Sequence, residues 1–490
     1  MRFHKQTFPW IAWLLAATAP AQETIRAGWL ELRMSNGQSQ VIARDLRRGS
    51  DYASGAVEVM VTEGPQKVRL ADGDTLRIGR EVKVEGGHVR WRAKIENLLP
   101  RTRLLEVKCV FTARFDGPVR WWDGHSVRDS GGARRSLTHT FPMTCAYAKR
   151  AGVAVGLRPD VLCSWLEQGW EAATPQDGRL SQTLRIVVGS EKSETIEFVL
   201  YAFEPRHGFL DALQVYYDEF PAWFRATKGV DPRVTGGGAT YWCWQRNSPE
   251  MCRRFFGDWE WCYAPFRRTG DWYGREELWD YKPARPFGRD RGLPREEFLA
   301  KRAEQFERGR RCDVAMLFYL PANIWCEIQL ANERYRDAIV LREDASGTPK
   351  PMESHKPWVT GHDDELVVFP WATSFAEACM RDMRQLAAEL SLAGFAFDTA
   401  NSGIPYRGPG ALRCPGRAWD ERGVFVDIGV AVALMEEFAH TLQTRDGRRC
   451  AVVSNPTGRT TWPVCFRSDA AMHEYAPYRQ MEDQQSLRHM

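Results

Sequence analysis

The pattern of apolar residues changes once along the 490-residue chain, and this change divides the fold into two dissimilar parts. Residues 24–203 alternate polar and apolar positions in short runs, which are separated by turn signals such as Asp72-Gly73-Asp74 and Asp116-Gly117-Pro118. Many short strands at regular spacing, without helical stretches, indicate a large antiparallel β-sandwich. After about residue 234, apolar strands alternate with helical segments, which is typical of parallel βα units.

A helical segment joins the two parts. Leu210, Leu213 and Tyr216 recur at helical spacing, and the segment ends near Phe220-Pro221. Because polar and aromatic groups gather where the later strands end, the second part is predicted to be a (β/α)-barrel with its active site at the carboxyl ends of the strands. The predicted domains are a sandwich over residues 22–203, a linker helix within residues 204–232 and a barrel over residues 233–490.

Six apolar runs in the second part are predicted to be its parallel strands: Ala239–Trp244, Val314–Leu320, Leu366–Pro370, Gly394–Asp398, Ala451–Ser454 and Ala470–Glu474. The aromatic stretch of residues 245–292 is interpreted as an insertion after the first strand. A complete eightfold barrel needs two further strands with their helices, whereas only sixteen residues follow Glu474. We therefore expect a chain that is truncated before the last strands of the barrel, with an irregular barrel as the alternative.

The first 21 residues have the composition of a signal peptide. Arg2 and Lys5 precede the apolar run Phe8–Ala17, and Ala19-Pro20-Ala21 has the small-residue pattern of a cleavage site. The run is too short to span a bilayer, so the mature chain is expected to begin at Gln22, to be secreted or periplasmic, and to have no membrane span. An uncleaved signal anchor is the alternative.

Charge, cysteines and short motifs exclude several classes of protein. Loss of residues 1–21 lowers the formal net charge from +4 to +2, which gives no basis for a nucleic-acid partner. The twelve cysteines form no C-x-x-C pair, so no metal site or other cofactor is predicted. Disulfides are possible in an exported chain, but Cys379 lies on a helix face and is expected to be a buried thiol. The absence of G-x-S-x-G, G-x-G-x-x-G and Walker patterns disfavours serine hydrolases and nucleotide-dependent enzymes.

The segment Gly394–Gly403 carries the strongest functional signal. A helix with a predicted capping box at Ser374 and Glu377 precedes a short buried strand that ends at Asp398, and a polar loop follows. A further helix is predicted over about residues 423–443. An acid at the carboxyl end of a parallel strand is a candidate for catalysis. The alternative is an Asp398 that only forms hydrogen bonds within its own loop.

A second acid follows the predicted sixth strand, so that two carboxylates are expected across the mouth of the pocket. Such a pair fits glycoside hydrolysis, in which one carboxylate attacks and the other donates a proton to the leaving oxygen. We predict Asp398 as the nucleophile and Glu474 as the acid/base, with Asp469 as its competitor.

Aromatic and amide side chains near the strand ends are the predicted substrate contacts. The chain has 20 tryptophans, whose flat faces pack either in cores or against sugar rings. Residues 403–410 are predicted to form a pocket wall or lid. The candidate binding residues are Trp242, Trp244, Asn323, Trp325, Trp371, Asn401, Asn455 and Asp469.

These features together resemble the α-galactosidase and related retaining α-glycosidase superfamily. The resemblance rests on the sandwich, the Tyr216-Tyr217…Phe220-Pro221 linker and the G-F-x-F-D segment at residues 394–398. It implies that Asp398 is the nucleophile and that a strand-six carboxylate, here Glu474 where Asp is common, is the acid/base. The implied protein is a secreted glycoside hydrolase acting on α-linked oligo- or polysaccharides. The alternative is a catalytically silent carbohydrate-binding protein on the same scaffold.

Overall fold

The computed structural model describes residues 23–27, 30–34, 41–45, 57–70, 73–85, 88–136, 141–224, 227–240, 249–254, 257–281, 292–321, 325–344, 346–353, 365–398, 403–455 and 462–471.

The first part of the chain is built from antiparallel strands. They are β1 (Glu23–Ala27), β2 (Leu30–Met34), β3 (Val41–Asp45), β4 (Val57–Glu63), β5 (Val68–Leu70), β6 (Leu76–Glu85), β7 (His88–Asn97), β8 (Arg103–Arg114), β9 (Arg120–Trp122), β10 (Val127–Arg128), β11 (Gly132–Ser136), β12 (Met143–Tyr147), β13 (Gly152–Leu157), β14 (Leu166–Ala172), β15 (Asp177–Val188) and β16 (Ser193–Phe203). One sheet has the order β10-β9-β12-β13-β16-β7-β6 and the other β11-β14-β15-β8-β4-β5, while β1–β3 form a separate small sheet.

The two large sheets enclose a common core, as the alternating sequence predicts. Along β7, Val89, Trp91, Ala93 and Ile95 are all buried, whereas the residues between them point away from this core. The same core contains residues of β8 and β15 from the other sheet, including Val107. The described residues between positions 57 and 203 therefore form a β-sandwich.

The predicted linker helix is α1 (Phe209–Glu219), and it lies on the outer face of the larger sheet. The Tyr216 hydroxyl donates a hydrogen bond to the Leu157 carbonyl at 2.6 Å, and the Tyr201 hydroxyl donates one to the Ala212 carbonyl at 2.8 Å. Phe466, from the second part of the chain, packs into the same aromatic cluster. The helix thus lies between the two parts.

The second part of the chain mixes helices and strands. Its helices are α2 (Pro232–Gly236), α3 (Pro249–Arg254), α4 (Glu276–Trp279), α5 (Arg295–Arg311), α6 (Ile328–Arg334), α7 (Ser374–Glu389), α8 (Ile428–Thr441) and α9 (Trp462–Cys465), with 3₁₀ turns at Pro221–Trp223, Arg336–Ala338 and Pro409–Arg413. Its strands are β17 (Gly238–Thr240), β18 (Gly257–Cys262), β19 (Ala315–Pro321), β20 (Trp325–Glu327), β21 (Leu341–Glu343), β22 (Pro349–Pro351), β23 (Glu365–Val367), β24 (Gly394–Asp398), β25 (Pro405–Tyr406), β26 (Ala418–Asp420), β27 (Gly423–Asp427), β28 (Ala451–Asn455) and β29 (Ala470–Ala471).

Six of these strands form one parallel sheet in the order β17-β18-β19-β24-β28-β29. The order in the sheet is thus the order in which these six strands follow one another in the chain. Helices α5, α7 and α8 separate successive strands, as expected for βα units. Over the described residues, β17 and β29 are not paired with each other and the sheet is open. The barrel prediction is therefore met in its parallel βα units, but a closed barrel is not seen in this part of the chain.

Two strand predictions are wrong, but together the two errors leave the position of Asp398 in the parallel sheet unchanged. The predicted third strand, Leu366–Pro370, is not in the parallel sheet, because its first residues belong to β23, which pairs antiparallel with β20. Conversely, β18 lies inside the stretch predicted as an insertion. Asp258 and Glu260 interrupt its apolar pattern, so the sequence alone does not indicate a strand there. Asp398 consequently still ends the fourth parallel strand.

Two helix boundaries also differ from the predictions. Thr373, and not Ser374, caps α7: its hydroxyl accepts a hydrogen bond from the Ala376 amide at 3.2 Å, while Ser374 bonds to Asp337. The helix predicted over about residues 423–443 begins only at Ile428. Its cap is Asp427, which accepts from the Gly429 amide at 2.9 Å, and the preceding residues form β27.

The sandwich contacts the second part directly as well as through α1. The indole of Trp419 on β26 is buried and donates to the Leu105 carbonyl at 2.9 Å, while Arg185 donates to the Trp419 carbonyl at 3.2 Å. The Ser164 hydroxyl accepts from the Asp427 amide at 2.9 Å. The segment that follows β24 is thereby held against the sandwich.

The structure also bears on the predictions of a buried thiol at Cys379 and of a chain without a membrane span. The eleven cysteines in the described ranges are all free, and all except Cys465 are buried; the buried thiol predicted at Cys379 is confirmed. Of the helices that the structure describes, none combines the length and apolar character needed to cross a membrane.

Candidate active site

Asp398 is the last residue of β24, at the carboxyl edge of the parallel sheet. In register, Pro321 of β19 lies on one side of it and Asn455 of β28 on the other. Its side chain is half-buried, whereas the four preceding residues of the strand are buried. The apolar run thus fixes the strand in the core and leaves its terminal carboxylate at the edge where parallel sheets place reactive groups.

Both carboxylate oxygens of Asp398 accept a hydrogen bond from a neighbouring strand. The Tyr319 hydroxyl donates to Oδ2 at 2.7 Å, and the Asn455 side-chain amide donates to Oδ1 at 2.8 Å. Asn455 is fully buried. Donors on opposite sides therefore fix the plane of the carboxylate, as a nucleophile or a binding group requires.

An aromatic cluster holds Tyr319 in place. The rings of Trp261, Tyr263 and Phe266 lie 5.5, 4.9 and 6.2 Å from the Tyr319 ring, measured between centroids. Trp261 belongs to β18, and the other two residues follow it. Since edge-to-face and offset contacts at these distances are favourable, the position of the hydroxyl at Asp398 depends on β18 and on the loop after it.

Buried polar contacts anchor that loop to α7. The Trp272 amide donates to Asp382 of α7 at 3.1 Å, and Arg275, which donates to Asp271 within the loop at 3.0 Å, lies 3.5 Å from Asp382. Burial raises the pKa of Asp382 to about 7, although Arg275 opposes the rise. The loop beside Tyr319 is therefore fixed by a network in which Asp382 titrates near neutral pH.

A carboxyl group missed by the sequence analysis lies on the same side of the sheet. Burial raises the pKa of Glu327, at the end of β20, to about 7, with Arg268 opposing and Glu365 reinforcing the rise. Thr269 donates to Glu365 at 2.8 Å. A carboxyl titrating in this range can act as a proton donor, but no hydrogen bond or ion pair among the described residues joins Glu327 to Asp398. In the sequence, the only signal for Glu327 is its position two residues after Trp325, near the end of a predicted strand.

Asp469, the predicted competitor for the acid/base role, lies elsewhere on the sheet. Its carboxylate accepts from the Val452 amide at 2.8 Å and lies 3.7 Å from Nδ1 of His440. Val452 is near the amino end of β28, three residues before Asn455. The structure therefore does not bring Asp469 to Asp398, because Asp469 precedes β29 whereas the reactive edge lies beyond it.

The predicted tryptophan contacts have mixed outcomes. Trp325 is 4% exposed and packs in a core with Phe369 and Tyr406, which is the core alternative for this residue. Trp371 is half-buried between that core and the core of the parallel sheet. Five further candidates lie outside the described residues: Glu474, Trp242, Trp244, Asn323 and Asn401.

Asn455 and Tyr319 show what sequence reasoning can and cannot find. Asn455 was predicted to line the pocket because it ends a strand, and it contacts the carboxylate of Asp398 itself. Tyr319 was hidden within an apolar run, where a tyrosine is usually a core residue. No group of three or more potential metal ligands occurs in the described part of the chain.

Comparison with known proteins places the fold. A scan against protein-family models and a search of the curated proteins found no match. Among solved structures, the chain is similar to the α-galactosidase from Lactobacillus brevis, with a TM-score of 0.54, 10% identity, and coverage of 95% of this chain and 74% of that one. It is also similar to the galactosidase domain of an α-galactosidase–sucrose kinase, with a TM-score of 0.50, 10% identity, and coverage of 91% and 73%. At these identities, the likeness establishes an α-galactosidase-like fold.

Proposed function

We propose that this chain is a secreted or periplasmic glycoside hydrolase that cleaves α-linked sugars, with Asp398 as the nucleophile at the mouth of a (β/α)-barrel. The observation that carries the proposal is the carboxylate of Asp398, which Tyr319 and Asn455 hold at the carboxyl edge of the fourth parallel strand. The likeness in fold to two α-galactosidases supports the same class of substrate. The segment of residues 1–21 supports export.

In the proposed mechanism, Asp398 attacks the anomeric carbon while Glu474 protonates the departing oxygen. Tyr319 and Asn455 position the two oxygens of the nucleophile, so that attack requires little reorganisation. Water, deprotonated by Glu474, then hydrolyses the glycosyl ester and releases a sugar of retained configuration. Retention requires the two carboxyl groups to be about 5–5.5 Å apart.

The proposal is tested with a panel of matched aryl α- and β-glycosides. We expect hydrolysis of at least one α-glycoside with retention, measured by aryl release and by NMR of the first sugar product. The β-anomers are the control, and we expect them to be inert. Cleavage of only β-glycosides would contradict the proposed linkage. Sugar binding without turnover of any glycoside would favour the alternative of a silent carbohydrate-binding protein.

The role of Glu474 is tested separately with leaving groups of different acidity. Glu474→Gln should slow hydrolysis of alkyl α-glycosides by a factor of about 10² or more, because these leaving groups need a proton. The same variant should affect activated aryl α-glycosides much less at the glycosylation step. Single-turnover rates measure this step directly. Equal losses for both classes would exclude Glu474 as the acid and would make Glu327, whose pKa is raised to about 7, the next candidate.

A further inference from the structure

A cleft of about 570 Å³ opens on the carboxyl side of the parallel sheet, between the β21–β22 hairpin and residues 403–408. Gly403, at one end of it, follows Asp398 by five residues, a stretch that spans at most about 18 Å. The volume is that of a typical small-molecule site. The cleft is therefore a ligand-sized space beside the candidate active site and distinct from the contacts of Asp398.

The wall of this cleft is aliphatic. None of the described residues that line it is aromatic, which distinguishes it from a stacking platform for sugar rings. Leu341 is 56% exposed, so its apolar surface is available to a ligand. The apolar lining residues are Ile339, Val340, Leu341, Pro349, Met352, Ile404 and Pro405.

The charged residues of the lining are mostly basic: Arg342, Arg407 and Arg422 against Glu343. Arg407 is held by Asp420 at 2.6 Å and by the Gly423 carbonyl at 3.2 Å. Arg422 lies 3.0 Å from Glu343, which neutralises the single acid. Arg342 is exposed, and its side chain makes no hydrogen bond or ion pair with other described residues. Asp420 and Glu343 balance Arg407 and Arg422, so Arg342 leaves one positive charge next to the aliphatic wall.

We propose that this cleft binds an organic anion with an apolar body. The aliphatic wall would cover the alkyl or aryl portion, and Arg342 would pair with a carboxylate, sulfate or sulfonate group. A neutral sugar would leave the Arg342 guanidinium without a partner and would find no aromatic face. This site goes beyond glycoside hydrolysis, and its existence does not depend on Asp398 acting as a nucleophile.

The proposal is tested by binding and without any measurement of activity. The full chain is titrated with anilinonaphthalene sulfonate, followed by fluorescence, and the probe is then displaced by octyl sulfate or by the neutral octyl glucoside below their micelle concentrations. We expect octyl sulfate to compete at least tenfold better than octyl glucoside, and to lose this advantage as the salt concentration rises.

Two variants localise the site, each with a matched control. Arg342→Gln should weaken octyl sulfate about tenfold, because a charged hydrogen bond is lost, whereas Arg206→Gln, an exposed arginine beside α1, should change nothing. Leu341→Glu should abolish displaceable binding by placing a negative charge on the wall. Leu210→Glu, at a leucine that is 51% exposed on α1, is its control.

Circular dichroism confirms that each variant is folded. Equal competition by the charged and neutral amphiphiles would overturn the proposal, as would unchanged binding in the folded Leu341→Glu and Arg342→Gln variants. Loss of glycosidase activity in Asp398→Asn with full sulfonate binding would leave the proposal intact. Failure of hydrolysis and failure of this site are therefore distinguishable.

Discussion

Replacing Asp398 by Asn should lower kcat on an aryl α-glycoside by a factor on the order of 10⁴, with little change in sugar affinity. Asparagine keeps the shape of the side chain and one acceptor oxygen, but it removes the negative charge that the proposed attack on the anomeric carbon requires. A group used mainly in the transition state affects turnover more than binding. Steady-state kinetics and calorimetric titration of a sugar measure the two quantities.

The same sheet offers a matched control for this substitution. Asp469→Asn changes a carboxylate at the opposite end of β28 and retains an acceptor for the Val452 amide, so turnover should stay near that of the parent chain. Tyr319→Phe should give an intermediate loss of roughly tenfold to a hundredfold, since it removes one hydrogen bond to the proposed nucleophile, Asp398. Near-normal turnover in Asp398→Asn would show that another group is the nucleophile.

Trp419→Ala should lower the free energy of unfolding by about 3–5 kcal/mol. The indole is 2% exposed, donates a hydrogen bond to the Leu105 carbonyl, and lies under the Arg185 guanidinium at 4.7 Å. Truncation leaves a cavity and removes a contact between the sandwich and the second part of the chain. Equilibrium unfolding in guanidinium chloride, followed by tryptophan fluorescence and circular dichroism, measures the loss.

Trp419→Phe provides the comparison, because it keeps a buried aromatic ring while it removes the N–H donor and the smaller ring of the indole. It should cost about 1 kcal/mol. If Trp419→Ala cost no more than Trp419→Phe, the ring would contribute little to holding the two parts together.

The sequence was most informative where one physical requirement dominates a segment. A buried parallel strand must be apolar and must end where polar groups begin, and the run Phe395–Phe397 followed by Asp398 meets both conditions. The sandwich strands were predictable for the same reason, since one buried face imposes a period of two. The linker helix followed from its buried stripe, in which Tyr216 is central.

The sequence was least informative where a residue's role depends on its partner in space. In β18, buried Glu260 lies between Trp259 and Trp261. Because an acid in this position breaks the apolar run, the sequence does not indicate an interior strand of the sheet. The run at Leu366 packs into two cores, with Leu366 and Val368 in the core of the parallel sheet and Val367 and Phe369 in a separate one. Its strand nevertheless pairs with β20 and not with the parallel sheet, which no local pattern distinguishes. Asp469 and Asp398 both adjoin strands, but only the direction of the strand and its register determine which of them reaches the reactive edge.

The buried free cysteines of the described chain can report which regions of the protein unfold first. Burial raises the pKa of Cys163 in the sandwich and of Cys450 before β28 to about 12, so neither reacts with an alkylating reagent until its surroundings separate. Cys109 lies in the core between the two large sheets, and Cys145 lies in the cluster that packs against α1. No disulfide joins these cysteines in the described chain. Mass spectrometry during slow alkylation would therefore show the order in which the cysteines are modified, and so the order in which the two parts unfold.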